Sequence, residues 1–305
     1  MLSHEGEVMR NADFSRMPRA RLLSIAAAAA AISACGGGGG GGGGGFPLLP
    51  VAQTPAPAPA PAPEPDPQAQ SSAPCFNEAD FREGTLLEFE AIAPGKDPAT
   101  DSFRRKSVTE GREAFAGATP VAFNVGTEAN AYPGFEQRIV KKEYKDLVGG
   151  HLFLYGKSTS YYGKINDKFA DDMKLPAIVP REYTSYASQV FEPPFSFPID
   201  MKPGQVVSKE SSVTKTETSN GSVVSTRSLP AKGELSYGGR EKLETPLGTF
   251  STCKFTLKLT LGALVGPSAT KEFWLAAEGP YRGQLLKGVD PKSPMVATKM
   301  SYSPK

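Results

Sequence analysis

The chain has 305 residues with 34 Lys and Arg against 32 Asp and Glu, a formal net charge of +2. So even a balance supplies no basic face able to neutralise a run of phosphates, which excludes nucleic acid as a partner. Three cysteines and two histidines leave little material for a Cys/His metal site or a thiol catalyst.

In chain order, Arg16, Arg19 and Arg21 precede an apolar stretch from Leu22 to Ala34, whose polar members are Ser24 and Ser33. A positive segment, a short apolar segment and small residues at its end form the layout of a secretory signal. Glycine from residue 36 onward stops the stretch short of the ~20 apolar residues that a spanning helix needs. Residues 1–34 therefore read as a signal peptide, with Met17 as an alternative start. Ile32, Ser33, Ala34 and Cys35 resemble the lipobox of bacterial lipoproteins. That resemblance implies cleavage before Cys35, acylation of its sulfur and amino group, and membrane lipid as a partner. Several acyl chains hold a protein stably where one does not. Gly36 stands where lipoproteins retained in the inner membrane commonly carry Asp, so the resemblance points to the outer membrane of a bacterial envelope.

Residues 35–74 read as a disordered linker of two textures. Gly36 to Gly45 has no side chains and behaves as a random coil, whereas "TPAPAPAPAPEPDP", residues 54–67, favours extended polyproline II and acts as a semi-rigid spacer. The remainder, residues 75–305, reads as one β-rich globular domain.

Its periodicity is that of strands. Candidates lie near 85–92, 103–112, 119–125, 135–147, 233–245, 268–276, 281–287 and 296–302. "TCKFTLKLTL", residues 252–261, alternates without fault, with Cys253, Phe255, Leu257, Leu259 and Leu261 on one face and Thr and Lys on the other. Gly149-Gly150 and Asn220-Gly221 suit tight hairpins that need positive φ. A short helix is possible only around Ile165 to Met173. The fold class expected is all-β: an antiparallel meander forming a curved sheet, half-barrel or barrel, because closure protects strand edges.

"LETPLGTFSTCKFTL", residues 243–257, and "KEFWLAAEGPYRGQLL", residues 271–286, resemble the carboxy-terminal hairpins of a loosely defined group of proteobacterial envelope proteins. The resemblance implies an envelope β domain and transfers no catalytic residue. Pro246 and Gly248 suit positions i+1 and i+3 of a turn, and Phe273 and Trp274 point to opposite faces, so at least one enters the core.

With Cys35 acylated, Cys75 and Cys253 remain. Export favours their pairing as a disulfide over two free thiols. His151 has no Cys, Asp or His at ligand spacing, and Asp167, Asp171 and Asp172 lack the order of a calcium loop, so no metal, cofactor or catalytic group is expected. "YTSYASQVFEPPFSFPID", residues 183–200, places Tyr183, Tyr186, Phe191, Phe195 and Phe197 among three prolines. It reads as a long aromatic loop, either a lid over an apolar ligand or a plug of the barrel end. Two functions follow: a non-enzymatic lipoprotein that binds an apolar molecule or an envelope protein, and a structural or assembly lipoprotein with a filled interior.

Overall fold

In the computed structural model of the chain, the residues described are 70–93, 95–96, 102–175, 180–262, 269–289 and 294–305. The segment read as a signal peptide, Cys35 and the Gly- and Pro-rich segments lie outside them. Two 3-10 turns, Ala73–Cys75 and Glu78–Phe81, lead into β1 (Leu86–Ile92), β2 (Phe103–Arg112), β3 (Val121–Tyr132), β4 (Phe135–Val148) and β5 (His151–Ile165). A one-turn helix α1 (Asp167–Asp172) precedes β6 (Glu182–Pro198), β7 (Val206–Ser219), β8 (Ser222–Thr245), β9 (Gly248–Leu261), β10 (Ala269–Ala276), β11 (Leu285–Val289) and β12 (Met295–Ser303).

Each strand pairs antiparallel with the next, and β1 pairs with β12 from Leu86↔Ser303 to Ile92↔Val296, so the sheet closes into a twelve-stranded barrel. Of the curved architectures open to the sequence, the full barrel is adopted, which leaves no unpaired edge. The hairpin turns follow their sequences: Val148 pairs with His151 across Gly149-Gly150, both at positive φ, and Ser219 pairs with Ser222 across Asn220-Gly221. Thr245 pairs with Gly248 across Pro246-Leu247. The helical stretch is real but shorter than its sequence window, and Asn166 caps it by accepting from the Phe169 amide.

Residues 183–200 are not a loop. They form most of β6, hydrogen-bonded to β5 on one side and β7 on the other. The prolines are tolerated because the pairing with β5 jumps from Gly156↔Val190 to Leu154↔Phe195, leaving residues 191–194 outside that ladder. On the other side the described pairing with β7 ends at Glu192↔Ser212, so Pro193 and Pro194 fall where no amide is required. Pro198 is the last residue of the strand.

The alternation in β9 decides the core. Cys253 and Phe255 are fully buried, and Leu257, Leu259 and Leu261 pack beside them. From β6, β7 and β8, next in the sheet order, come Phe195, Phe197, Val213, Leu235 and Tyr237, with Met201 from the β6–β7 connection. Phe273 stacks on Phe255 with ring centroids 5.3 Å apart, so it is the core partner, while Trp274 turns outward. Trp274 is nonetheless buried, under Lys254 and Lys287 and with its indole N–H on Glu241. Nor is the polar face of β9 uniformly wet: Thr252 is fully buried, its hydroxyl donating to the Glu241 carbonyl.

Cys75 and Cys253 are joined, closing a separation of 178 residues. A loop of that length stabilises by about 5 kcal/mol in the chain-entropy account. The bond also fixes residues 70–81 across one end of the barrel. There Tyr237 Oη donates to the Gln70 carbonyl at 2.8 Å, Arg240 Nε donates to the Ser71 carbonyl at 3.2 Å, and the Ser72 amide donates to the Met201 carbonyl at 3.1 Å.

Candidate functional site

The aromatic residues of 183–200 divide by face. Phe195 and Phe197 are 2 % exposed and fill the interior, with Phe191 half-buried against Phe195 at 4.8 Å. Tyr183 stacks on Tyr161 and lies over Gly163, where a Cβ would meet the Tyr183 ring at 2.1 Å, so only glycine fits. Tyr186 pairs with Ser160 and is exposed. These five residues therefore form no common ligand loop, and Phe195 and Phe197 belong to the apolar core cluster.

The hollow part of the interior lies elsewhere. A cavity of about 270 Å³ is floored by Phe76, Asn77, Asp80 and Phe81 of the 3-10 turns and walled by β1 to β5 and β10 to β12. Strand alternation aims its lining: Leu87 and Phe89 from β1, Arg105, Ser107 and Thr109 from β2, Phe123 from β3, and Glu143 and Lys145 from β4. Apolar rings and ionised groups thus share one chamber.

Two polar clusters sit in it. In the first, Asp80 accepts from Tyr302 Oη at 2.5 Å and from Gln284 Nε2 at 2.8 Å, and Asn77 Nδ2 donates to Tyr302 Oη at 3.0 Å. Burial pushes the Asp80 carboxyl above its ordinary range, against the opposing pull of Tyr302, Gln284 and Lys145. Burial also raises the Tyr302 phenol, reinforced by Asp80. Gly283 sits against this cluster at φ +88°, where a Cβ would come within 2.9 Å of Asn77.

In the second cluster, Glu143 bridges Lys145 at 3.0 Å and Arg105 at 3.4 Å, and Lys145 Nζ lies 4.5 Å from the centroid of the Phe123 ring. The carboxylate sits deep in the barrel wall but keeps 36 % of its side chain accessible, because it faces the cavity. Lys145 first, and then Arg105, hold it down to about 2.

Sequence reasoning passed over Asp80, Arg105, Glu143, Lys145 and Tyr302. A signal was present: "FEQRIVKKEYKDLV" in β4 carries charge on both alternate sets, so whichever face turned inward would bring ionised groups with it.

His151 is exposed, its Nδ1 lying 3.1 Å from the Gly149 carbonyl. Asp167 pairs with Arg181, and among the described residues no three His, Cys, Asp or Glu side chains converge as a metal site. A larger groove of about 710 Å³ runs over the outside of β12, β1 and β2. Its charges are matched, Glu88 with Lys106, Glu90 with Arg104 and Lys299, and Arg105 with Glu143 of the interior cavity. No protein-family model, no curated protein and no solved structure matches the chain.

Proposed function

We propose that the chain is a bacterial envelope lipoprotein, acylated on Cys35 and held at the outer membrane. Its barrel binds a small molecule with apolar and polar parts in the interior cavity, without catalysing a reaction. The observation that carries this reading is the cavity itself. A protein selected only for stability gains by filling such a space, since each lost contact around a void costs free energy. Here Leu87, Phe89, Phe123, Leu152 and Leu275 leave room, while the other half of the same barrel is packed solid. A chamber with apolar walls and a few convergent polar groups is the usual form of a small-molecule site. That solid half favours a second reading, a structural or assembly lipoprotein that presents its outer surface to an envelope partner.

One experiment addresses both parts. Wild type, Cys35→Ser and Ser107→Phe are expressed in a bacterial host with labelled palmitate, fractionated, and the purified proteins extracted for bound small molecules. The expected result is a labelled, membrane-bound wild type with a co-extracted molecule, an unlabelled soluble Cys35→Ser, and a Ser107→Phe protein that is anchored, folded by thermal melting and empty. An unlabelled wild type would defeat the anchor. Equal occupancy in a folded Ser107→Phe would defeat the cavity site and leave the structural reading.

A further inference from the structure

The inner face of the barrel changes character between two adjacent rungs. In the deeper rung, Phe191 on β6 pairs with Val213 on β7, which pairs with Leu229 on β8. Val213 is fully buried, whereas Phe191 and Leu229 are partly open. One rung outward, about 7 Å along each strand, lie Gln189, Lys215 and Arg227. The register continues across the sheet without a break: Arg227↔Lys215, Lys215↔Gln189, Gln189↔Lys157 and Lys157↔Glu143. Directly opposed residues share a face, and the face is fixed at both ends, by Val213 two residues from Lys215 and by Glu143 in the cavity wall.

Three cations therefore stand in one rung, which Glu143 joins to the cavity wall, and two of them are directly opposed. Opposed like charges in a sheet destabilise it. Carboxylates give little relief: Glu143, opposite Lys157, is held by Lys145 and Arg105, and among the described residues Glu217, the next residue outward on that face of β7, forms no ion pair with Lys215 or Arg227. Among the described residues none of Lys157, Lys215 and Arg227 forms an ion pair. All three are exposed and so open to a ligand.

We infer that this rung receives the anionic head of a single-chain amphiphile, whose apolar part lies against Phe191 and Leu229 and reaches toward the cavity. The inference rests on the cavity-binding reading and names its ligand class. An acid head supplies the missing counter-charge on Arg227, Lys215 and Lys157, and the amide of Gln189 between them can donate to the same oxygens. The apolar rung directly beneath requires the rest of the molecule to be hydrocarbon, which separates this site from one for a free inorganic anion.

The test is titration of the full-length protein, stripped of bound lipid and held in a neutral detergent, with dodecanoate and with uncharged dodecanol. Dodecanoate should bind about tenfold or more tightly than dodecanol, the range of a charge-assisted contact. In Lys215→Gln/Arg227→Gln that advantage should disappear while dodecanol binding is unchanged. The unliganded double variant should also melt higher than wild type, because the opposed charges are gone, and this shows that it folds. Equal affinity of wild type for the two ligands, or undiminished dodecanoate binding by the double variant, would overturn the anionic-head assignment alone. Failure to bind either ligand would overturn the cavity reading together with it.

Discussion

The two halves of the barrel interior are built from the same alternating strands and meet opposite fates. Around Phe195, Phe197, Tyr237 and Phe255 the inward side chains form one apolar cluster, with Ala231 and Gly233 making room for the rings. Between β1 and β4 the inward positions alternate rings with Arg105, Ser107, Thr109, Glu143 and Lys145, and the space is hollow. Closing the sheet fixes the barrel's girth, but side-chain volume and charge decide what is inside it. One half therefore serves stability and the other remains free to serve binding.

The disulfide sharpens that division most. Cys75→Ser/Cys253→Ser should lower stability by several kcal/mol, with about 5 as the ceiling, and denaturant unfolding with and without reductant would measure it. An unchanged midpoint would show that the 3-10 turns hold the barrel end unaided. Next in size is a matched pair of truncations. Phe255→Ala, in the solid half, should cost about 3–5 kcal/mol. Phe89→Ala, which already faces open space, should cost no more than about 2, since less packing is lost. Equal losses would erase the distinction between the halves.

The smallest effect is a pH dependence confined to the hollow half. Glu143 is depressed from 4.5 to about 2 in the folded protein, so its contribution is fully present above pH 4.5 and lost as pH falls toward 2. Cavity water screens it, which limits the effect to about 1 kcal/mol or less. Asp80 is raised instead, so its linkage has the opposite sign: the fold is favoured at low pH and the contribution declines as pH rises through the folded value. Melting temperatures between pH 2 and 6 should therefore fall less steeply on acidification in Glu143→Gln and more steeply in Asp80→Asn. Parallel curves for all three proteins would contradict both assignments.

Much of the barrel was legible because its signals are local. The alternation of residues 252–261 and the Gly149-Gly150 and Asn220-Gly221 turns each rest on a few neighbouring residues, and the disulfide needed only a count, since Cys75 and Cys253 are the two cysteines left beside Cys35. β6 was misread because proline is a local veto on a strand, and what lifts it is a register jump opposite Gly156 that depends on two other strands. The cavity clusters were hidden for the same reason. Asp80 and Tyr302 are 222 residues apart, and Glu143 gains its meaning only when β2 comes beside β3 and β4. The cationic rung draws on four strands, and no single strand carries more than one of its cations.

The cap formed by residues 70–81 has a mechanical consequence. The same stretch that seals the barrel is where the preceding 69 residues of the chain join the domain, so tension on that side passes Gln70, Ser71 and Ser72 and then reaches Cys75. Were the cap held only by the contacts of Gln70, Ser71 and Ser72, such a pull would peel it from the rim one hydrogen bond at a time. The sulfur bridge instead passes the load straight into β9, a strand flanked on both sides, where rupture would require many ladder bonds to shear together.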